Sequence, residues 1–247
     1  MEVALKTYKK EFGHSYTFGV FPTLELLHAR SAEVLKVLIS DAGRKNRGVA
    51  KIEELCARRR IPVEVNDKAV DRLSPKENAY AVGVFKKYTA SLAANANHLV
   101  LVNPGDMGNL GTIIRTMLGF GVTNLALVRP AADIFDPRAV RSSMGALFSI
   151  AFHYFDSFEQ YHDLFPNNLY PFMTNGKVTL SQAGFARPFS LIFGNESMGL
   201  PDDYLQLGTS VTIPQSNKVD SLNLTIAVGV ALYEATKQDL DAVRKPE

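Results

Sequence analysis

The sequence predicts an α/β protein built on a parallel sheet, with a smaller α/β domain ahead of it. Three observations carry that prediction. First, 46% of the 247 residues are hydrophobic and 21% charged, with a mean hydropathy of −0.02, a composition that supports a buried core and excludes disordered and collagen-like chains. Second, the charge is uneven: residues 1–97 hold 17 of the 27 basic and 11 of the 25 acidic side chains, so a +6 part precedes a −4 part and the net +2 averages the two. Third, from His98 a strand, a helix and a second strand follow one another, a βαβ unit that requires parallel pairing.

Residues 22–88 read as the smaller domain. An amphipathic stretch follows Pro22, and VLKVLI (34–39) is an apolar run. A helix is expected over 49–60, a strand at 61–65 and another at 79–85, the last alternating through Tyr80, Val82 and Val84. Arg44, Lys45, Arg47, Lys51, Arg58, Arg59 and Arg60 form a basic cluster among them. Such a cluster is either a solvated face or a set of phosphate contacts, which strengthen nucleic-acid binding through counterion release. The small, polar stretch YTASLAANAN (88–97) suits a linker. The expected domains are thus 1–90 and 98–247, joined by 91–97.

In the larger domain, HLVLV (98–102) is a buried strand ending in NPGDMG. Leu110, Ile113, Ile114, Met117 and Leu118 then repeat at the spacing of a helix with one buried stripe. Asn109 is expected to cap it and Gly119 or Gly121 to end it; LALV (125–128) is the next strand. Further strands are expected at 150–155, 170–173, 190–193 and 210–213, with a closing apolar helix from Ser221 to about Lys237.

Ligands of open parallel sheets bind beyond the carboxyl ends of strands, which directs attention to three loops. The first, NPGDMGNLGTIIRT (103–116), lacks both the dinucleotide GxGxxG and the P-loop GK[ST]. Its Arg115 falls about 130° from the centre of the apolar stripe, either as a surface arginine or as a guanidinium facing a phosphate or oxyanion. The second, IFGNESMGLPDD (192–203), places Glu196 at a strand end between glycines. In the third, VTIPQSNKVDSLNLT (211–225), Ser221 or Asp220 is the expected helix cap. Asn223 there is an amide headed for burial, in need of a partner.

Other chemistry finds no support. The lone Cys56 leaves no disulfide or Cys-rich zinc site and suits a reducing cytoplasm. The first residues show neither an apolar h-region nor a small-residue cleavage site, so export is not expected, and the longest apolar or glycine run, 226–233, is far below the ~20 residues a bilayer requires. The five histidines show no HExxH spacing, and no GxSxG elbow exists.

Taken in order, the three loops resemble the three motifs of the SpoU (TrmH) family of the SPOUT superfamily, RNA ribose 2′-O-methyltransferases. Asn109, Gly111 and Arg115 match the first; Gly194, Glu196, Gly199 and Leu200 the second; Ile213, Pro214, Ser221, Leu222 and Asn223 the third. RSSMGA (141–146) is similar to the family's intervening segment. Residues 22–88 more loosely resemble the small L30e-type RNA-binding domain that often precedes the methyltransferase domain.

The resemblance implies a SPOUT domain with a C-terminal trefoil knot, S-adenosylmethionine bound within it, and a homodimer whose site uses both chains. Carried over by motif position, Thr174, Gly194, Ile213 and Leu222 would bind the cofactor. Arg115 would act at the ribose 2′-OH, with Asn109, Glu196, Ser221 and Asn223 positioning it and the substrate. The implied protein is a cytoplasmic enzyme acting on ribosomal or transfer RNA, with no metal and no membrane. The alternatives are a non-catalytic RNA-binding paralogue and a SPOUT enzyme that methylates a base nitrogen. Two departures are visible: Gln215, Ser216 and Asn217 stand where the third motif usually has a small residue or glycine, and Met117 where the first commonly has alanine.

Overall fold

The computed structural model describes residues 5–74 and 79–243, with side chains through residue 240. In chain order its first elements are β1 (His14–Tyr16), α1 (Val20–Ala29), β2 (Val34–Ile39), α2 (Arg47–Arg59), β3 (Val63–Val65), α3 (Asp67–Leu73) and β4 (Ala81–Lys86). Then come β5 (His98–Val102), α4 (Met107–Gly119), β6 (Asn124–Val128), α5 (Pro137–Ser142), β7 (Ala151–Phe155), α6 (Phe158–Leu164) and β8 (Asn168–Pro171). The last are β9 (Val178–Thr179), β10 (Phe189–Phe193), β11 (Val211–Thr212) and α7 (Leu224–Val243). The chain forms two compact units, Met1–Tyr88 with Asp133–Ser149, and Thr89–Ala132 with Ile150–Glu247.

The first unit is a mixed sheet in the order β1-β4-β2-β3, antiparallel except for β2 with β3. Successive residues of β2 serve opposite faces, as strand geometry requires. Leu38 packs with Val82, Val84 and the α3 residues Ala69, Val70 and Leu73, while Val37 and Ile39 pack with Leu27, Ile52 and Cys56 of α1 and α2. β4, the strand expected over 79–85, lies between β1 and β2 and is buried on both faces from Ala81 to Phe85, so the alternation through Tyr80, Val82 and Val84 does not separate a buried from an exposed face. Residues 133–149 belong to this core: Ser15 Oγ donates to the Phe135 carbonyl at 2.6 Å, and the Phe85 and Phe148 rings meet edge to face. The Cys56 thiol is buried, which pushes its pKa up to about 11.

The second unit holds a five-stranded, wholly parallel sheet in the order β7-β6-β5-β10-β8. Val100, Val102, Ala126, Val128 and Ile192 face one layer, packed with Phe155, Phe158 and Tyr161. Leu99, Leu101, Leu125 and Leu127 alternate with them and are also fully buried. α4 buries Leu110, Ile113, Ile114 and Met117, the stripe expected from their spacing, and ends at Gly119. Leu92, within the expected linker, is buried in this unit's core. A buried polar chain crosses the sheet: His98 Nε2 donates to the Ala93 carbonyl at 2.9 Å, which leaves Nδ1 to accept from Tyr161 Oη at 2.9 Å. Ser190 Oγ lies 2.5 Å from the same phenol oxygen. Burial holds His98 below, and Tyr161 above, the ordinary range of its side chain.

β11 adds parallel to β9, and Met173 donates to the Val211 carbonyl at 2.9 Å, so residues 208–213 are flanked by chain on both sides. The approach is close: a Cβ on Gly176 would stand 2.4 Å from the Val211 carbonyl carbon. α7 begins at Leu224, later than the expected Ser221. Val228, Ala231 and Leu232 of α7 are buried, while Ile226, Val230 and Tyr233 form an exposed apolar row on the same helix.

Candidate functional site

β5 and β10 are neighbours at the centre of the parallel sheet, where the strand order reverses direction: β6 and β7 lie beyond β5, and β8 beyond β10. Loops leaving adjacent strands diverge at such a switch point and leave a crevice between them. Here the two loops are tied together. Glu196, after β10, accepts the backbone N–H groups of Gly105 (3.1 Å) and Asp106 (3.2 Å), after β5, and Asn109 Nδ2 at 3.4 Å. Asn195 Nδ2 donates to the Asn103 carbonyl at 2.8 Å, and Asn195 Oδ1 accepts the N–H of Ser197 at 2.9 Å. Gly194 has to be glycine, because a Cβ there would sit 2.1 Å from the Gly199 carbonyl carbon.

Two of the expected helix caps are corrected. Asp106 caps α4, its Oδ1 accepting the Asn109 N–H at 2.7 Å, so Asn109 sits inside the first turn with its amide directed to Glu196. Asn223, not Ser221 or Asp220, occupies the position before α7 and accepts the Thr225 N–H at 2.9 Å. Asn223 is exposed, which overturns the expectation of a buried amide. Its polar group is spent on the first turn of a helix, and a capping asparagine belongs at the solvent boundary. After Pro201 the chain forms a short 3-10 helix, Asp202–Gln206.

A cavity of about 240 Å³ opens beside this junction. Thr174, Gly194, Ile213 and Leu222, the four residues expected to hold a cofactor, all line it, and so do Glu196 and Ser221. Phe172 and Phe193 stack in its wall with ring centroids 4.5 Å apart. Gln215 also lines it, and its Nε2 donates to the Asp220 carbonyl at 3.1 Å, closing the 215–220 loop on itself. The chemistry of the walls fits an adenosine-bearing ligand: apolar and aromatic faces with loop backbone groups at the strand ends.

Asn109, Arg115 and Asn223 do not line the cavity. Arg115 is exposed on α4, six residues and about 9 Å of helix rise beyond Asn109. It forms no ion pair or side-chain hydrogen bond among the described residues. Sequence reasoning missed Asp106 and Asn195, although a side-chain acceptor three residues before Asn109 was the available signal for the cap. Among the described residues no cluster of three His, Cys, Asp or Glu side chains is placed to hold a metal ion, and no helix is long and apolar enough to cross a membrane.

The family model described as the SpoU rRNA Methylase family matches residues 96–233. An uncharacterized tRNA/rRNA methyltransferase of Synechocystis sp. is 39% identical over 151 residues, 57% of this chain and 53% of that protein. The 23S rRNA (uridine(2479)-2′-O)-methyltransferase of Streptomyces viridochromogenes is 33% identical over 144 residues, 55% of this chain and 50% of that one. The chain thus matches about half the length of these curated relatives. Among solved structures, the AdoMet bound rRNA methyltransferase from Sinorhizobium meliloti superimposes with a TM-score of 0.78 at 26% identity, covering 92% of this chain and 88% of that one.

Proposed function

The chain belongs to the SpoU rRNA methylase family, and from that premise we propose that it transfers a methyl group from S-adenosylmethionine to a ribose 2′-OH of ribosomal or transfer RNA. One observation carries the proposal above the others: Thr174, Gly194, Ile213 and Leu222, expected from the sequence on three different loops, line a single cavity at the switch point of the parallel sheet. The relatives named for rRNA or tRNA methylation, and the AdoMet-bound structure, support the choice of substrate and donor.

The cofactor supplies a methyl already activated by its sulfonium. What remains for the protein is to orient two reactants and to stabilise charge as the alkoxide develops. Phe172, Phe193, Ile213 and Leu222 provide the apolar walls that exclude water, and Gly194 lets the backbone of Gly199 and Leu200 pack against the end of β10 at the cavity's rim. Glu196 holds the loops after β5 and β10 in one arrangement, and Asn109 is fixed by the same carboxylate. A guanidinium does not serve as a practical base in proteins, so Arg115 acts as an electrostatic clamp on the adjacent phosphate and the 2′-oxygen. The 2′-OH proton passes to a neighbouring group or to water.

Because Arg115 lies outside the cavity of its own chain, a second copy completes the site. The exposed apolar row of Ile226, Val230 and Tyr233 on α7 is the surface we assign to that homodimer, since a helix apolar on both sides is normally covered on both. We read the close crossing of residues 176 and 211 as part of the family's knot, and residues 1–90 as an RNA-binding domain that uses the basic cluster of α2 and the turn before it. Cytoplasmic action follows from the substrates.

The test is methyl transfer from labelled S-adenosylmethionine to total RNA, followed by digestion to nucleosides. Label in 2′-O-methylnucleosides is expected. Label in base-methylated nucleosides would replace the ribose reading, and a folded protein that releases no heat with the cofactor would replace the enzymatic one.

A further inference from the structure

A second cavity, of about 690 Å³, lies on the other side of the loop that borders the first. Asn195, Met198 and Gly199 line both, so a single stretch of chain separates them. We propose that this second cavity receives the base of the RNA nucleotide undergoing methylation. The identity of the occupant rests on the methyltransferase reading given above.

The walls suit a nucleobase. Pro104, Pro130, Ala131, Leu200 and Pro201 offer apolar surface of the kind on which the face of a base packs, and Met107 adds a polarisable thioether. These walls are fixed in place. The Ala132 N–H donates to the Pro104 carbonyl at 2.7 Å, and the Ala132 carbonyl accepts Tyr154 Oη at 2.8 Å, anchoring the 130–132 segment from both sides. Glu196 fixes the opposite rim through Gly105 and Asp106.

The edge of a base requires donors and acceptors, and Asn103 supplies them. Its backbone is held in the left-handed region at φ 55°, with its N–H on the Val128 carbonyl and its own carbonyl on Asn195. Asparagine tolerates that conformation, but it is uncommon and concentrates at functional sites. The side chains of Asn109 and Asn195 are engaged inside the protein, whereas the Asn103 amide at the cavity lining makes no hydrogen bond among the described residues. An amide with a free donor and acceptor is the group that reads one base edge against another.

Methyl-labelled protein (Met Cε, Ala Cβ) tests the assignment without knowledge of the natural RNA. Nucleoside 5′-monophosphates at millimolar concentration should move the resonances of Met107, Ala131 and Ala132, while ribose 5-phosphate leaves them in place. S-adenosylmethionine should move Met173, which lines only the first cavity. Ala131→Leu should abolish the nucleotide response and keep the Met173 response, and Asn103→Ala should erase the difference between the four bases. Absence of any nucleotide shift, or an equal shift with ribose 5-phosphate, overturns the proposal. A protein that responds to nucleotides yet methylates no RNA loses the catalytic reading alone, and one that methylates RNA without the response loses the base subsite alone.

Discussion

Glu196, on the loop after β10, accepts the backbone N–H of Asp106, on the loop after β5, at 3.2 Å. With the Asn195 Nδ2 bond to the Asn103 carbonyl, this carboxylate ties together the loops at the ends of two adjacent strands, at the border of the cavity. Glu196→Ala should leave the sheet intact, because the strands pair through their own backbones. The loops should loosen, and S-adenosylmethionine affinity measured by calorimetry should fall by about tenfold, equivalent to roughly 1.4 kcal/mol. Unchanged affinity would mean that the loops hold their arrangement without it.

Gly194→Ala is expected to be worse than its single methyl suggests. The new Cβ would lie 2.1 Å from the Gly199 carbonyl carbon and 2.4 Å from the Leu200 nitrogen, both backbone atoms that have no rotamer to change. Overpacking of this kind costs about 1–3 kcal/mol. Thermal denaturation should show a lowered Tm together with loss of cofactor binding.

Arg115→Ala separates binding from chemistry. The side chain is exposed and unpaired among the described residues, so its removal should leave Tm and cofactor affinity near wild type. Loss of an electrostatic clamp should lower the methylation rate by about 10²–10³, the usual scale for one charge-stabilising group. A rate near wild type would remove Arg115 from the mechanism.

Reversing Arg58, Arg59 and Arg60 to glutamate tests the basic end of α2. All three are exposed; Arg58 pairs with Glu54, and Arg60 follows the helix in a left-handed conformation. RNA affinity should fall, and the slope of its logarithm against salt should flatten by about 0.7–0.9 for each phosphate that is no longer neutralised. Cofactor affinity should not change. Unaltered RNA binding would make the cluster a solvated face.

His98 should make the protein sensitive to mild acid. Burial depresses its pKa below the ordinary 6.5, so the unfolded chain binds the proton more readily than the folded one. The neutral ring is fully satisfied by Ala93 and Tyr161. Its contribution is therefore complete above pH 6.5 and is lost progressively as pH falls through the folded value. His98→Gln should show a lower Tm near neutrality and a smaller further loss on acidification than wild type.

Much of the second unit is legible in the sequence because its signals are local. Residues 98–128 carry a continuous apolar strand, a stripe at helical spacing and another strand, and each forms where the pattern places it. Other features depend on neighbours that no local window contains. β4 is buried on both faces because β1 and β2 flank it and helices cover each side, so alternation misdescribes it. β9 is two residues long, too short to leave a period, and exists because it pairs with β11, the short strand that forms inside the expected 210–213. The caps differ from expectation through competition between nearby candidates. Asp106 and Asn109 are both capable acceptors, and only the start of the helix at Met107 decides between them. Asn223 looks costly in the sequence because the residues after it are apolar, yet its amide serves the Thr225 N–H at 2.9 Å.

The chain passes from one compact unit to the other three times, after Tyr88, after Ala132 and after Ser149. Severing it near residue 90 would therefore yield neither unit whole. A fragment starting at 98 would keep Ala139, Val140, Leu147 and Phe148 without the neighbours that bury them, and its counterpart would lose the ring that meets Phe85. Such fragments would aggregate for reasons unrelated to catalysis. Dissection of the two roles is better done by point substitution in the full chain, or by an excision that carries 133–149 along with residues 1–88 through a new connection.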